Sequence, residues 1–511
     1  PELIGLGAGG VLTAAAGLAL LSLIRPRALP PAAWHRLPTL RAMTTVLGLA
    51  ALDTLAAGTV LWVLLPTTPG IGVAQVLVAY LLALGAGLVL TTPGGIGPFE
   101  AALLALLPGI GPEPLVAAII AYRALYYALP AVIGAGVLIR GPRPAATRPA
   151  ASRTPALMPL PTAPHLPFLV DAVIDSAPRA EAALLRHGRL AVATDRRGRP
   201  AAMVAATGQS LVMLSDPLAP GAAPAEALAL LAALARDGLR APVLYKAGAR
   251  LAATARAQGW TVTAIAREAW LDPRAFSPQG SARSGLRRKL RKAEAAGVTV
   301  AMADPLALPR AEMEEIATAW AEAHGGERGF SMGVWAPETL PWAQTWLARA
   351  PGGRLLGFIT LHANAREQTL DLIRTRADAP DGLGYLLVTR AIEAAGAAGV
   401  PRLSLAAVPV APADADPAPL RHMRRRLEAA SGAGGLRQFK QAFDPNWETL
   451  YIAAPGLPAL AAGALDIARE ITGGGARHRR ARGSARGSVR DSVRVARRVR
   501  SPGTDPRRDA P

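Results

Sequence analysis

Hydrophobic patterning divides the chain in two. From the amino terminus to about residue 140 it is built of long apolar runs, Leu3–Ile24, Ala42–Leu65, Ile71–Leu90, Ile96–Ile110 and Leu115–Ile139. Most of them reach the ~20 residues that a helix needs to cross a bilayer. Ile96–Ile110 would span only ~22 Å at 1.5 Å per residue, so it reads as a broken or re-entrant piece. Arg25, Arg27, Arg36 and Arg41 fill one connection, and Arg140, Arg143, Arg148 and Arg153 follow the last run. Basic flanks of this kind face the cytoplasm, so an even number of crossings separates them. About five segments with the amino terminus outside fit that parity. The sequence opens inside an apolar run with no signal-peptide pattern, as a fragment or a misplaced start would.

Beyond residue 168 the apolar stretches shorten and alternate with alanine-rich segments. Leu190–Thr194, Ala201–Thr207, Leu211–Leu214 and Val243–Tyr245 predict strands, with a helix over Ala223–Asp237. A similar series follows: a helix over Arg310–His324, strands at Arg354–His362 and Thr369–Arg374, a helix over Leu383–Ala398 and a strand at Arg402–Ala406. The fold class expected is an α-helical membrane domain followed by an α/β (α+β) soluble region of two related modules. The boundaries are transmembrane helices in 1–140, a Pro/Ala/Arg-rich linker 141–167, a first module 168–303 with a basic helix at 281–297, a second module 304–460, a terminal helix 461–475 and a basic, disordered tail 476–511.

Composition narrows the chemistry. Apolar residues make up 51% of the chain and charged ones 18%, which suits a mixed membrane and soluble protein. The absence of cysteine removes disulfides and thiolate nucleophiles, and seven scattered histidines offer no zinc-like spacing, so no metal is expected. A formal charge of +20 calls for an anionic partner, phospholipid or nucleic acid.

Four segments carry candidate chemistry. In TTPGGIGPFEAAL, Thr91–Leu103, the glycines and Pro93 break one helix and Pro98 suits the first turn of the next. Glu100 then sits at a helix amino terminus, with Arg123 as a partner, either for lipid or ion passage or as an interfacial cap with a snorkelling arginine. In SARSGLRRKLRKAEAAGV, Ser281–Val298, Arg283, Arg287 and Arg291 share a helix row, and Arg288 and Lys292 form its neighbour. With Lys289 they make an anion-binding face for lipid phosphate or RNA, or a solvated surface.

In the third segment, Thr369–Ala395, alternation sets Asp371 and Ile373 opposite Leu370, Leu372 and Arg374, unless a bulge brings Asp371 and Arg374 into one cleft. The bland alternative for these two is a structural ion pair. Gly382 and Gly384 then open a helix whose free N–H groups can hold an anion. The fourth segment, Leu436–Tyr451, reads as a helix ended by Asp444-Pro445. It holds Lys440, one of only four lysines in the chain, between Phe439 and Phe443. Its stem is expected to be half buried beside a wet head.

The phrases GGIGPFEA, YRALYYALP, GLRRKLRKAEAAGV, ERGFSMGVW (Glu327–Trp335), DLIRTRADAPDG and LRQFKQAFDPNWETLY together resemble the phosphatidylglycerol lysyltransferase family, also called aminoacyl-phosphatidylglycerol synthases or multiple peptide resistance factors. The strand, GxG and helix order is similar to GNAT acyltransferases, although Ala379 stands at the start of their R/Q-x-x-G-x-G pattern, which speaks against ordinary coenzyme A binding. The resemblance implies tandem GNAT-like domains on the cytoplasmic face of a bacterial inner membrane. They would move an aminoacyl group from aminoacyl-tRNA, a co-substrate with no further cofactor, to a hydroxyl of phosphatidylglycerol. That reduces negative surface charge and gives resistance to cationic antimicrobial peptides.

On this view Asp371 is a base or binds the substrate amino group, while Arg374 and Lys440 neutralise phosphate or the developing oxyanion. Arg437 and Asp444 complete the cleft, and Arg287, Arg288, Lys289, Arg291 and Lys292 steer tRNA or anionic lipid. Phe330, Met332 and Trp335 line a core or an acyl-chain groove. The family's membrane domain is larger and often flips lipid, and this chain carries only its last part. A GNAT-like enzyme with another donor, a transporter with a non-catalytic cytoplasmic module, and self-association into a homo-oligomer stay open.

Overall fold

The computed structural model describes residues 13, 15–24, 37–90, 96–139, 155–162, 165–413, 421, 424–425 and 433–472. The basic connection at 25–36, the Thr91–Gly95 break, most of the 141–167 linker and the tail 476–511 lie outside them. The terminal helix expected at 461–475 runs over 457–472 within the described residues. Two compact units are present: of the described residues, 13, 15–20 and 38–139 fall in the first, and 21–24, 37 and those from 155 onward in the second.

The first unit is helical. It holds α1 (Leu40–Leu64), α2 (Val73–Val89), α3 (Pro98–Leu106) and α4 (Pro112–Arg123), and α4 continues through a π turn at Ala124–Ala128 into α5 (Leu129–Ile139). Among the described residues two helices are long and apolar enough to cross a membrane, Leu40–Leu64 and Pro112–Ile139. α2 has 17 residues and α3 nine, and half of the first expected segment, Leu3–Ile24, lies outside the described residues. Polarity is arranged inside out. Val46, Leu52, Leu88, Val132 and Ile139 face outward, while the Tyr80 and Tyr122 hydroxyls meet at 2.8 Å in the interior; the exposed Asp53 is taken up by the Tyr126 hydroxyl at 2.7 Å. Such a surface suits hydrocarbon better than water.

The second unit is one twelve-stranded mixed sheet. Its strands are β1 (Ala156–Pro159), β2 (Ala191–Thr194), β3 (Pro200–Ala206), β4 (Ser210–Leu214), β5 (Ala241–Ala247), β6 (Thr261–Leu271), β7 (Thr299–Met302), β8 (Ala343–Arg349), β9 (Leu355–Ala363), β10 (Gln368–Thr375), β11 (Leu403–Pro409) and β12 (Asn446–Ala454). Their order across the sheet is β1-β2-β3-β4-β5-β12-β6-β11-β10-β9-β8-β7. Among the described residues only β4–β5 and β10–β11 pair in parallel, and each pair is joined by a crossover helix, α7 (Pro224–Asp237) and α11 (Leu383–Ala397). Repetition of this strand, helix, strand device is the physical form of the two modules.

The modules are interlocked rather than consecutive. β12, late in the chain, lies between β5 and β6, and β6 joins β12 to β11. At this seam Arg179 and Arg402 each contact Glu268, Glu367 and Glu448 at 2.7–3.4 Å. The basic helix α9 (Ser284–Ala295), placed by sequence in the first module, buries Leu286, Leu290 and Ala293 in one core cluster with Leu386, Val388 and Ile392 of α11. β7 likewise pairs with β8 at the far edge. Packing therefore puts both elements on the side of the second module.

Candidate active site

The central feature is a fork. β10 and β11 pair only at Gln368–Leu403 and Thr369–Ser404 and then part, and each strand changes register at that point. On β10 Leu370 faces Leu361 but Leu372 faces Thr360, so Asp371 is the extra residue of a bulge. The side-chain alternation slips by one there, and Asp371 reaches the face that holds Thr360, His362 and Arg374. The carboxylate is buried. Thr360 Oγ1 donates to Oδ2 at 3.0 Å and accepts from the Leu372 N–H at 3.2 Å, which pins the bulge. His362 Nε2 stands 3.4 Å from Oδ1. A Cβ at Gly333 would collide with Oδ1, so the glycine of ERGFSMGVW is required for closure on this side. Burial pushes the Asp371 carboxyl up, but His362, His187 and Thr360 outweigh it and hold it below its ordinary value.

Arg374 does not pair with Asp371. Its guanidinium donates to Glu327 at 2.8 Å and lies over the Trp320 ring at 3.6 Å. Its Nε is buried without a hydrogen-bond partner among the described residues. Burial lowers its proton affinity, and Glu327 opposes the shift.

Lys440 sits on α12 (Ala433–Gln441) and is 2% exposed, so its head is buried where the sequence led us to expect a wet one. The cause is the fork. Where β11 leaves β10, the carbonyls of Ala406 and Ala407 lose strand partners, and Lys440 Nζ donates to them at 2.8 and 3.1 Å. Ala406 takes a left-handed φ of 65° to make the turn. Burial, then repulsion from Lys246, drives the Lys440 amine down to about 7, with Glu268 as a partial counterweight. Lys246 is itself tied to Glu181 and donates to the Ser331 carbonyl at 3.2 Å.

Beside the fork a groove of about 490 Å³ is lined by Trp320, His324, Thr375, Arg376, Tyr385 and Phe439, among others. Gly382 and Gly384 lie in its wall. Gly382 has φ 99°, and a Cβ there would strike the Lys289 backbone, so its role is the close approach of α9. Arg437 donates to the Pro409 carbonyl at 3.2 Å, while Asp444 is an exposed turn residue 3.5 Å from Arg283. Among the described residues no group of three or more His, Asp or Glu side chains is placed to hold a metal ion.

The cationic row of α9 is divided in the fold. Arg287 turns to the Pro278 and Gly280 carbonyls, and Lys289 and Lys292 clamp Asp381 at 2.9 and 3.2 Å. Arg288 and Arg291 stay exposed. In the helical unit Arg123 Nε donates to Glu100 at 2.8 Å, and Glu100 accepts from the Gly97 N–H at 2.6 Å, the cap expected from GGIGPFE. Within ERGFSMGVW, Phe330 and Trp335 enter cores, whereas Met332 is 41% exposed. Reading that motif for its apolar residues missed Glu327 and Gly333, its two members that touch the fork residues. Thr360 and His362 gave no signal beyond alternation on β9.

The family model described as phosphatidylglycerol lysyltransferase, C-terminal, matches residues 169–454. Among solved structures, the C-terminal domain of a putative lysylphosphatidylglycerol synthetase from Agrobacterium fabrum is 24% identical with a TM-score of 0.54, covering 60% of this chain and 96% of that one. L-PGS from Bacillus licheniformis is 22% identical with a TM-score of 0.54 over the same shares. An uncharacterized protein of Synechocystis, slr0712, is 39% identical over 85 residues, 16% of this chain and 26% of that relative. The chain thus spans about a quarter of the length of that curated relative. The two structures establish the fold of the sheet unit.

Proposed function

Because the chain belongs to the phosphatidylglycerol lysyltransferase family, on a match covering more than half its length, we propose that it transfers an aminoacyl group from aminoacyl-tRNA to a hydroxyl of phosphatidylglycerol. The fork carries this reading: it brings a charged carboxylate, a buried guanidinium and a buried amine to the place where two parallel strands part. Lipid charge is lowered by such a transfer, which supports a role in resistance to cationic peptides at the bacterial inner membrane. The apolar exterior of the helical unit favours that location.

The chemistry is an ester exchange. The lipid hydroxyl attacks the aminoacyl carbonyl carbon, a new C–O bond forms, and the bond to the tRNA ribose breaks. The proton lost by the lipid hydroxyl ends on the ribose oxygen. Lys440, driven down to about 7, exists in both forms near neutrality and is suited to take and return that proton. Asp371, held below its ordinary value, stays charged and is a weak base, so it fits the substrate ammonium better. Arg374, with one unpartnered buried donor, serves the developing oxyanion.

Mass spectrometry of lipids tests the reaction, after incubation of the whole chain in phosphatidylglycerol vesicles with a mixture of charged tRNAs. The expected result is an aminoacyl-phosphatidylglycerol that disappears after ribonuclease treatment of the donor. A folded protein that yields none contradicts the proposal.

A further inference from the structure

The transfer chemistry assigns work to Asp371 but not to the groups around it. Two β9 side chains, Thr360 and His362, lie two residues apart and therefore on one face, and each addresses a different oxygen of the same carboxylate. Thr360 makes a hydrogen bond. His362 Nε2 is buried, has no hydrogen-bond partner among the described residues, and stands 3.4 Å from the carboxylate Oδ1. The His187 ring stands nearly perpendicular to it at 6.2 Å, and Gly333 lies against the Asp371 carboxylate, where a Cβ would strike Oδ1. An imidazole nitrogen kept from water is costly unless it faces an acceptor or a charge.

We propose that His362 is a positioning residue for Asp371, fixing the carboxylate so that it meets the ammonium of the aminoacyl donor. The inference rests on the reading of Asp371 as the ammonium-binding group. An ill-set carboxylate would weaken capture of the donor while leaving the proton path through Lys440 intact. The effect belongs in KM for aminoacyl-tRNA and only weakly in kcat. A purely structural histidine would instead lower the active fraction, and with it kcat, at unchanged KM.

The test uses the full chain in phosphatidylglycerol vesicles, with charged tRNA and with the same tRNA carrying an N-acetylated aminoacyl group. His362→Leu is expected to raise KM for the native donor about tenfold, with kcat within about threefold. His362→Gln, which keeps a donor near the Nε2 position, should recover most of the loss. With the acetylated donor, which lacks the ammonium, the variants and the parent should have the same KM. Equal KM for parent and His362→Leu on the native donor, or no advantage of Gln over Leu, overturns the proposal. If His362→Leu does not fold, Thr360→Val reports on the other carboxylate oxygen, and an unchanged donor KM there overturns it as well. Asp371→Asn separates the premise from the inference: if it leaves donor KM unchanged, the ammonium-binding reading fails first.

Discussion

At the scale of single residues, Lys440 makes the strongest physical claim. Its folded-state proton affinity is depressed, from an ordinary 10.5 to about 7. Between those values the unfolded chain binds the proton and the folded chain does not, so stability rises with pH across the window. The full span corresponds to roughly 5 kcal/mol. We predict that thermal unfolding of the sheet unit, followed in the whole protein by tryptophan fluorescence, shifts upward from pH 7 to pH 10. The rise should be clearly smaller in Lys440→Met, and parallel curves would contradict the burial of a neutral amine. The same residue shows what a sequence can convey. Phe439 and Phe443 announced a partly buried stem, but the head depends on two carbonyls 33 and 34 residues away, freed by a strand divergence that no local pattern encodes.

At the scale of elements, the fork and the α9–α11 contact position the site. The strands β3, β4, β9 and β10 were legible because short apolar runs separated by turns mark them. β6 and β12 were not, because Glu268 and Glu448 interrupt their apolar pattern in order to meet Arg179 and Arg402 at the seam. The bulge at Asp371 was foreseen only as one of two options, and its cause, the bond from Thr360 on the next strand, is tertiary. Glu327 stands 47 residues from Arg374 along the chain, so their pairing is equally invisible to periodicity.

Two substitutions probe this layer. Gly382→Ala forces a side chain into left-handed backbone and against the Lys289 carbonyl, and should cost about 1–3 kcal/mol by thermal or denaturant unfolding. An unchanged stability would mean that α9 is not held there. Glu327→Gln removes the counter-charge of buried Arg374 and should cost about 3–5 kcal/mol. A loss under about 1 kcal/mol would show Arg374 to be solvated.

At the scale of the whole molecule, the fold is an interlocked pair of strand-helix-strand units with a separate helical unit before them. Length and composition pointed to this division, while the threading of β12 between β5 and β6 joins distant parts of the sequence and had to be seen. The chain's charge of +20 is predicted to act through exposed cations such as Arg288 and Arg291. Arg288→Glu with Arg291→Glu should raise KM for charged tRNA at low salt and flatten its salt dependence. Identical salt slopes for parent and variant would remove α9 from the recognition surface.

The central claim is that the fork performs the transfer. Its most direct measurement is the single-turnover rate of aminoacyl transfer to phosphatidylglycerol at saturating donor, compared between the parent and Lys440→Met across pH 6 to 9. The account predicts a parent rate that rises through about pH 7 as the amine loses its proton, and a variant rate lower by about 10²-fold or more with no such rise. A folded Lys440→Met protein that transfers at the parent rate with the same pH profile would place the chemistry elsewhere.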